Sequence, residues 1–200
     1  MIADPALLAA YGGLGLVVGF VAGLLGVGGG LIIVPVLIFL LHAQELAAGM
    51  EPQLALGTSL ASILFTSLSS VRAHHRHGAV VWPLLWRIAP GIVLGTLAGA
   101  VLAAQMPAML LKLFFTAFLF YAAIQMWLDF KPAPHRGLPG QAGTTLAGGV
   151  IGAVSSWVGI GGGTLSVPFM LWHNVPLHRA IATSAAIGFP IAIAGAAGYV

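Results

Sequence analysis

The sequence contains no cysteine and few charged residues. Asp, Glu, Lys and Arg together make up 6% of its 200 residues, against about 25% in an ordinary soluble domain. Without cysteine, the chain has no disulfide framework, no thiolate metal site and no thiol nucleophile. So few charged side chains cannot cover a globule of this size in water, which argues against a soluble enzyme and against a soluble binding module.

The chain also lacks the usual signals for export and catalysis. Asp4 is the only charge in the apolar stretch that opens the chain, whereas a cleaved signal peptide has a basic start, so we predict no cleavage. There is no P-loop and no metalloprotease motif, which predicts no catalytic residues, no enzyme activity and no cofactor. The few basic residues are scattered between apolar segments, so we interpret them as topology signals and predict no nucleic-acid partner.

Hydrophobic residues instead make up 60% of the chain. They form six blocks that are continuously apolar, whereas the strands of a membrane barrel would alternate. The blocks are long enough to cross a bilayer core of about 30 Å, which takes about 20 helical residues. The sequence therefore predicts an all-α polytopic membrane protein. The blocks cover approximately residues 5–41, 54–71, 83–104, 108–128, 142–172 and 181–200.

A repeated motif occurs once in each part of the chain. Residues 26–35 read GVGGGLIIVP, and residues 159–168 read GIGGGTLSVP. Each motif is followed, after a short connection, by a Thr-Ser pair that opens the next apolar block. These pairs are Thr58-Ser59 and Thr183-Ser184. The order of glycines, proline and Thr-Ser is the same in both copies, which indicates a duplication.

The duplication predicts two homologous halves. The first half, residues 1–130, contains about four membrane segments by length. A cytoplasmic linker, residues 131–141, joins it to the second half, residues 142–200. The second half stops within the span that its Thr-Ser pair opens, so we expect it to be truncated.

The positions of the charges predict the orientation of the spans. A basic loop at residues 72–77 reads RAHHRH, and the linker carries two further basic residues. Two spans separate these segments, so both are predicted on the cytoplasmic side by the positive-inside rule. The connection that contains Glu45 and Glu51 has no Lys or Arg, which is typical of the outer side. Arg179 fits this arrangement less well if the fifth block repeats the path of the first block.

The glycine and proline residues of each motif predict a broken helix. Three consecutive glycines disfavour a continuous helix, each by about 1 kcal/mol relative to alanine. Proline suits the first turn of a helix, so we expect Pro35 and Pro168 to open the second segment of each broken helix. Such a break presents backbone amides beside the positive end of a helix dipole, which favours anion binding. Paired breaks in two halves indicate the binding site of a transporter.

The predicted substrate site is lined by the glycines of both motifs, with the Thr-Ser hydroxyls as donors. Its residues are Gly28, Gly29, Gly30, Thr58, Ser59, Gly161, Gly162, Gly163, Thr183 and Ser184. The alternative is that the glycines only allow close helix packing and that the hydroxyls bond within their own helices. The repeated prolines favour the site, since packing alone does not require them. Gly91, Gly95 and Gly99 have no such proline, and their spacing of four predicts a packing stripe.

Three residues of the basic loop are candidates for a gate or for anion capture: His74, Arg76 and His77. A solvated loop is the alternative for all three. A metal site is not predicted, because no cysteine or carboxylate lies near these histidines in the sequence.

At these motifs the chain resembles the sulfite exporter TauE/SafE family of membrane transporters. The resemblance rests on the two glycine-proline motifs, on the Thr-Ser pairs and on the basic loop that ends at His77-Gly78, and it covers essentially the whole chain. It implies seven or eight spans in two related halves and a small sulfur oxyanion or organosulfonate as substrate. The expected function is that of a multi-pass inner-membrane permease that moves a small anion such as sulfite by alternating access. An anion channel and a non-transporting membrane scaffold remain alternatives.

Overall fold

The computed structural model describes residues 12–13, 15–20, 29–44, 49–128 and 137–199. Residues 15–20 are helical, and the other described segments contain seven helices joined by short connections. In chain order they are α1 (Gly30–Ala43), α2 (Glu51–Arg76), α3 (Trp82–Gln105), α4 (Ala108–Trp127), α5 (Gln141–Val158), α6 (Gly163–Trp172) and α7 (Leu177–Gly198). The described residues include no strand, so the predicted all-α class is confirmed.

Four of the helices are long and apolar enough to cross a membrane: α2, α3, α4 and α7. Helices α1 and α6 are apolar but contain only 14 and 10 residues. At about 1.5 Å per residue, they are too short to cross a bilayer core of about 30 Å. The molecule therefore combines helices long enough to span the membrane with short apolar helices that do not cross it.

Helices α3 and α5 run parallel and pack through small residues. Gly91 faces the backbone of Thr145, and four residues later Gly95 faces the backbone of Gly149. A Cβ atom added to either glycine would overlap the carbonyl oxygen opposite it. Gly99 continues the same face, so the packing stripe predicted from the spacing of four is confirmed. The backbones approach closely enough for van der Waals contact along the whole interface.

One end of the bundle carries most of the described basic residues. Helix α3 begins there, and the Thr145 hydroxyl of α5 donates a 3.2 Å hydrogen bond to the carbonyl oxygen of Arg87 near that start. The amide of Val81, just before α3, donates a 3.0 Å hydrogen bond to Thr183 near the start of α7. We call this the basic end. Because α7 begins at it, Arg179 lies on the same side as the basic end of α2 and fits the predicted orientation.

The basic residues after the second apolar block lie on a helix, where we expected a loop. Helix α2 continues through Arg76, because the chain has no glycine or proline there until Gly78, which adopts a φ of 63°. The connection to α3 is then short. The ring nitrogen Nε1 of Trp82 donates a 3.3 Å hydrogen bond to Nδ1 of His75 across it. Of the cytoplasmic linker predicted at residues 131–141, residues 131–136 lie outside the described residues.

The two motif prolines lie inside helices, and the expectation that they open them is wrong. Pro35 and Pro168 each follow the first residue of their helix by five positions. Both helices begin directly at the last motif glycine, Gly30 or Gly163. An interior proline removes one backbone hydrogen bond, which membrane helices tolerate because neighbouring elements satisfy the freed carbonyl.

Candidate functional site

A tight turn of glycines connects α5 to α6. We call residues 159–163 the glycine turn. Gly159 ends α5 with a φ of 69°, and Gly162 precedes α6 with a φ of 80°. Both values lie in the left-handed region that residues with a Cβ atom adopt only with strain. The sequence GIGGG therefore breaks the helix between Val158 and Gly163 without straining the backbone.

The glycine turn packs against the middle of two spanning helices. A Cβ atom added to Gly161 would lie 3.5 Å from Cγ2 of Ile63 and 3.7 Å from Cα of Gly188. Ile63 lies halfway along α2, and Gly188 lies halfway along α7. The turn is therefore near the centre of the bundle. Irregular backbone at such a depth is found where protein surrounds it or where it lines a cavity.

The first copy of the motif touches the second copy at this turn. A Cβ atom added to Gly30 would overlap the carbonyl oxygen of Gly159 and would lie 3.1 Å from Cα of Ile160. Gly29, by contrast, has only the side-chain tip of Ile33 near its Cβ position, at 3.1 Å. The structure thus brings Gly30 to the turn, while the predicted site residue Gly28 lies outside the described residues.

Consecutive backbone amides are unpaired at the start of α6. The amides of Gly159 and Ile160 both donate to the carbonyl oxygen of Ser155, at 2.8 and 3.1 Å. Within the part of the chain that the structure describes, the four amides of residues 161–164 have no acceptor. They lie at the N-terminus of α6, where the helix dipole is positive. Such an arrangement of amides can hold an anion.

Three of the four predicted hydroxyl donors have a hydrogen-bond partner. Ser59 donates a 2.8 Å hydrogen bond to the carbonyl oxygen of Gly159 and so ties α2 to the turn. Ser184 accepts a 2.8 Å hydrogen bond from Ser166 of α6 and lies close to Gly163. Thr183 accepts the amide of Val81 at the basic end.

The structure does not bring Thr58 to the glycine turn. Its side chain is exposed, whereas its neighbour Ser59 is buried. Successive residues on a helix point about 100° apart, since each turn takes about 3.6 residues. Only one member of this Thr-Ser pair can therefore face the turn.

Replacing Ser59 by alanine is expected to destabilise the protein by about 1–3 kcal/mol, because it leaves the buried carbonyl of Gly159 without its side-chain donor. Thermal unfolding in detergent would measure the change. Ser67→Ala is the matched control, because the Ser67 hydroxyl donates to Leu64 of its own helix, at 3.2 Å. Equal unfolding temperatures for the two variants would show that the Ser59 bond does not hold the turn.

Two hydroxyls beside the turn were missed by the sequence analysis. The Ser155 Oγ and Thr164 Oγ1 atoms are buried and have no hydrogen-bond partner. Neither hydroxyl is repeated in the other copy, because the first copy has Ala22 and Leu31 at the matching positions. A pair of serines, at 155 and 156, in the apolar second half of α5 could have indicated Ser155, whereas no such signal exists for Thr164.

The residues suggested as a gate lie away from the turn. Arg76 and His77 are exposed, and His74 is half-buried, at the basic end of α2. His74 follows Ile63 by eleven positions, a separation of about 16 Å along the helix. Among the residues that the structure describes, there is no group of three or more His, Cys, Asp or Glu that could hold a metal ion.

Comparison with known proteins identifies the family. The sequence profile of the sulfite exporter TauE/SafE family matches residues 11–200. The chain belongs to this family. It is therefore a TauE/SafE membrane transporter, and the resemblance seen at the motifs is confirmed.

Curated relatives of this TauE/SafE protein carry names of the same kind. A probable membrane transporter protein of Haemophilus influenzae is 34% identical over 182 residues, which cover 90% of this chain and 69% of the relative. The probable membrane transporter protein YunE of Bacillus subtilis is 32% identical over 209 residues, covering 93% of this chain and 76% of the relative. No solved structure shows significant similarity to the chain.

Proposed function

We propose that this TauE/SafE protein transports a small oxyanion, such as sulfite or an organosulfonate, and binds it at the glycine turn. The observation that carries the proposal is the run of unpaired amides at residues 161–164. These donors lie near the middle of α2 and α7, where a transporter binds its substrate between two halves. The family name supports a sulfur oxyanion as the substrate.

The surroundings of the turn favour an anion of low charge. Among the described buried residues, Glu51 is the single ionisable side chain, and the other buried polar residues are Gln, Ser or Thr. Glu51 precedes Ile63 by twelve positions, or about 18 Å of helix. The turn therefore has amides, hydroxyls and a helix dipole to offer, without a Lys or Arg to neutralise a multiply charged ion.

Alternating access of two halves is the mechanism that we propose. The contact of Gly30 with Gly159 joins the two motif copies at one point, and a rocking motion of one copy against the other would open the turn to each side in turn. By the positive-inside rule we assign the basic end to the cytoplasm, and we propose the inner membrane as the location of this multi-pass protein. Arg72, Arg76 and Arg179 would then raise the local anion concentration at the cytoplasmic entrance.

Uptake of radiolabelled sulfite into proteoliposomes tests the proposal. We expect uptake that exceeds that of empty liposomes, saturates with concentration and is accelerated by unlabelled sulfite on the opposite side. Gly161→Ala is the informative variant, because the methyl group has room to fit yet lies in the turn. It should reduce the initial rate by about tenfold or more, since displacing a bound ligand by about 1 Å has effects of this size.

Gly140→Ala is the matched control, because no atom lies within 4 Å of the added Cβ position. It should transport at the rate of the wild-type protein. Uptake that does not saturate and is not accelerated from the opposite side would indicate a channel. A folded protein with no uptake would contradict the proposal and favour a membrane scaffold.

A further inference from the structure

We infer that the hydroxyls of Ser155 and Thr164 bind the anion directly and select a singly charged oxyanion over a halide. The inference rests on the proposed function and names the side chains that complete the site. Neither hydroxyl is repeated in the first copy of the motif region, so each marks a chemical difference between the two copies.

Ser155 lies at the base of the glycine turn. Its side chain is 0% exposed, and its Oγ atom has no hydrogen-bond partner. This atom is 3.6 Å from the position that a Cβ atom of Gly162 would take. The carbonyl of Ser155 is already bonded to the first two amides of the turn. A fully buried hydroxyl without a partner lowers stability, so its position close to Gly162, within the run of unpaired amides, calls for a ligand.

Thr164, which directly follows the glycine turn, adds a second unpaired hydroxyl. It is the second residue of α6, and its own amide is the last of the unpaired amides at residues 161–164. Its Oγ1 atom is buried without a partner. Residues 155–164 therefore contain two hydroxyls and four amides that have no hydrogen-bond partner.

The other hydroxyls near the turn each have a hydrogen-bond partner within the protein. Ser59 donates to the turn itself, and Ser166 donates to Ser184. An oxyanion carries several acceptor oxygens that point in different directions, so it can use the amides and both free hydroxyls at once. A halide of the same charge is a single spherical acceptor and gains less from donors on two sides.

The test measures anion binding by thermal unfolding of the full chain in detergent, with methanesulfonate and chloride as probes. We expect methanesulfonate to raise the unfolding temperature of the wild-type protein more than chloride does. Ser155→Ala and Thr164→Val each remove one donor to a charged ligand. The Kd for methanesulfonate should rise by about ten- to a hundredfold in each, while the chloride response stays the same.

The unliganded variants provide a second readout. Removing a hydroxyl that has no partner should leave the unfolding temperature unchanged or raise it. Ser156→Ala is the matched control, because Ser156 is equally buried but its Oγ atom donates a 2.8 Å hydrogen bond to Ala153. This control should unfold at a lower temperature and keep the wild-type Kd.

Three results would overturn the inference. Wild-type Kd values in a Ser155→Ala, Thr164→Val double variant would show that the hydroxyls do not touch the anion. A lower unfolding temperature of unliganded Ser155→Ala, like that of the control, would show that the hydroxyl has a structural partner. A wild-type protein that responds to neither probe would overturn the proposed anion site, and the inference with it.

Discussion

Replacing Gly30 by alanine is expected to abolish transport and to lower the unfolding temperature, because no space exists for a methyl group. The Cβ atom would overlap the carbonyl oxygen of Gly159 and lie 2.9 Å from the carbonyl carbon. Both neighbours are backbone atoms that cannot rotate away. We expect a destabilisation of about 3 kcal/mol or more, the upper range for overpacking. Proteoliposome uptake and thermal unfolding measure the two effects.

The adjacent glycine provides the control for stability. In Gly29→Ala, the Cβ atom meets only the flexible side-chain tip of Ile33, at 3.1 Å. This variant should therefore unfold close to the wild-type temperature. If Gly30→Ala were as stable as Gly29→Ala and still transported, the contact between the motif copies would not be part of the working structure.

Replacing Gly95 by leucine should prevent folding altogether. The side chain would enter the interface of α3 and α5, where the Cβ position overlaps the carbonyl oxygen of Gly149 and lies 2.6 Å from its Cα atom. The two helices would have to separate along their length, and α5 carries the glycine turn. We expect no monodisperse protein in size-exclusion chromatography after extraction in detergent.

Ala98→Leu tests whether this loss is specific to the interface. Ala98 lies on the same helix but is exposed on the outer surface of the bundle. This variant places the same leucine side chain at a lipid-facing position, so it should elute as a single peak. Similar elution of the two variants would mean that the glycine stripe does not hold α3 and α5 together.

The features predicted correctly depend on short-range spacing or on composition. The all-α class follows from long apolar blocks with little charge. The stripe of Gly91, Gly95 and Gly99 follows from a spacing of four, because a helix brings such residues to one face whatever packs against it. Neither prediction needs knowledge of a distant part of the chain.

The features that the sequence could not provide depend on neighbours. The preferences of Pro35 and Pro168 for a helix start are local, and the surrounding bundle overrides them. The partner of Ser59 is a carbonyl 100 residues away. Ser155 becomes noticeable only when the structure shows that it is buried and unpartnered. A repeat reveals what two copies share, so it hides a residue that only one copy contains.

The parallel arrangement of α3 and α5 has a consequence for α4. Two neighbouring helices that run in the same direction cannot be joined by a hairpin, so the chain between them must return across the bilayer. Helix α4 is the element that returns, and it is the least buried of the four spanning helices. The membrane sets its length and the hydrophobicity of its outer face, while Leu111, Phe115 and Phe118 pack into the core. Helix α4 is therefore the return crossing that allows α5 to lie beside α3 in the same direction.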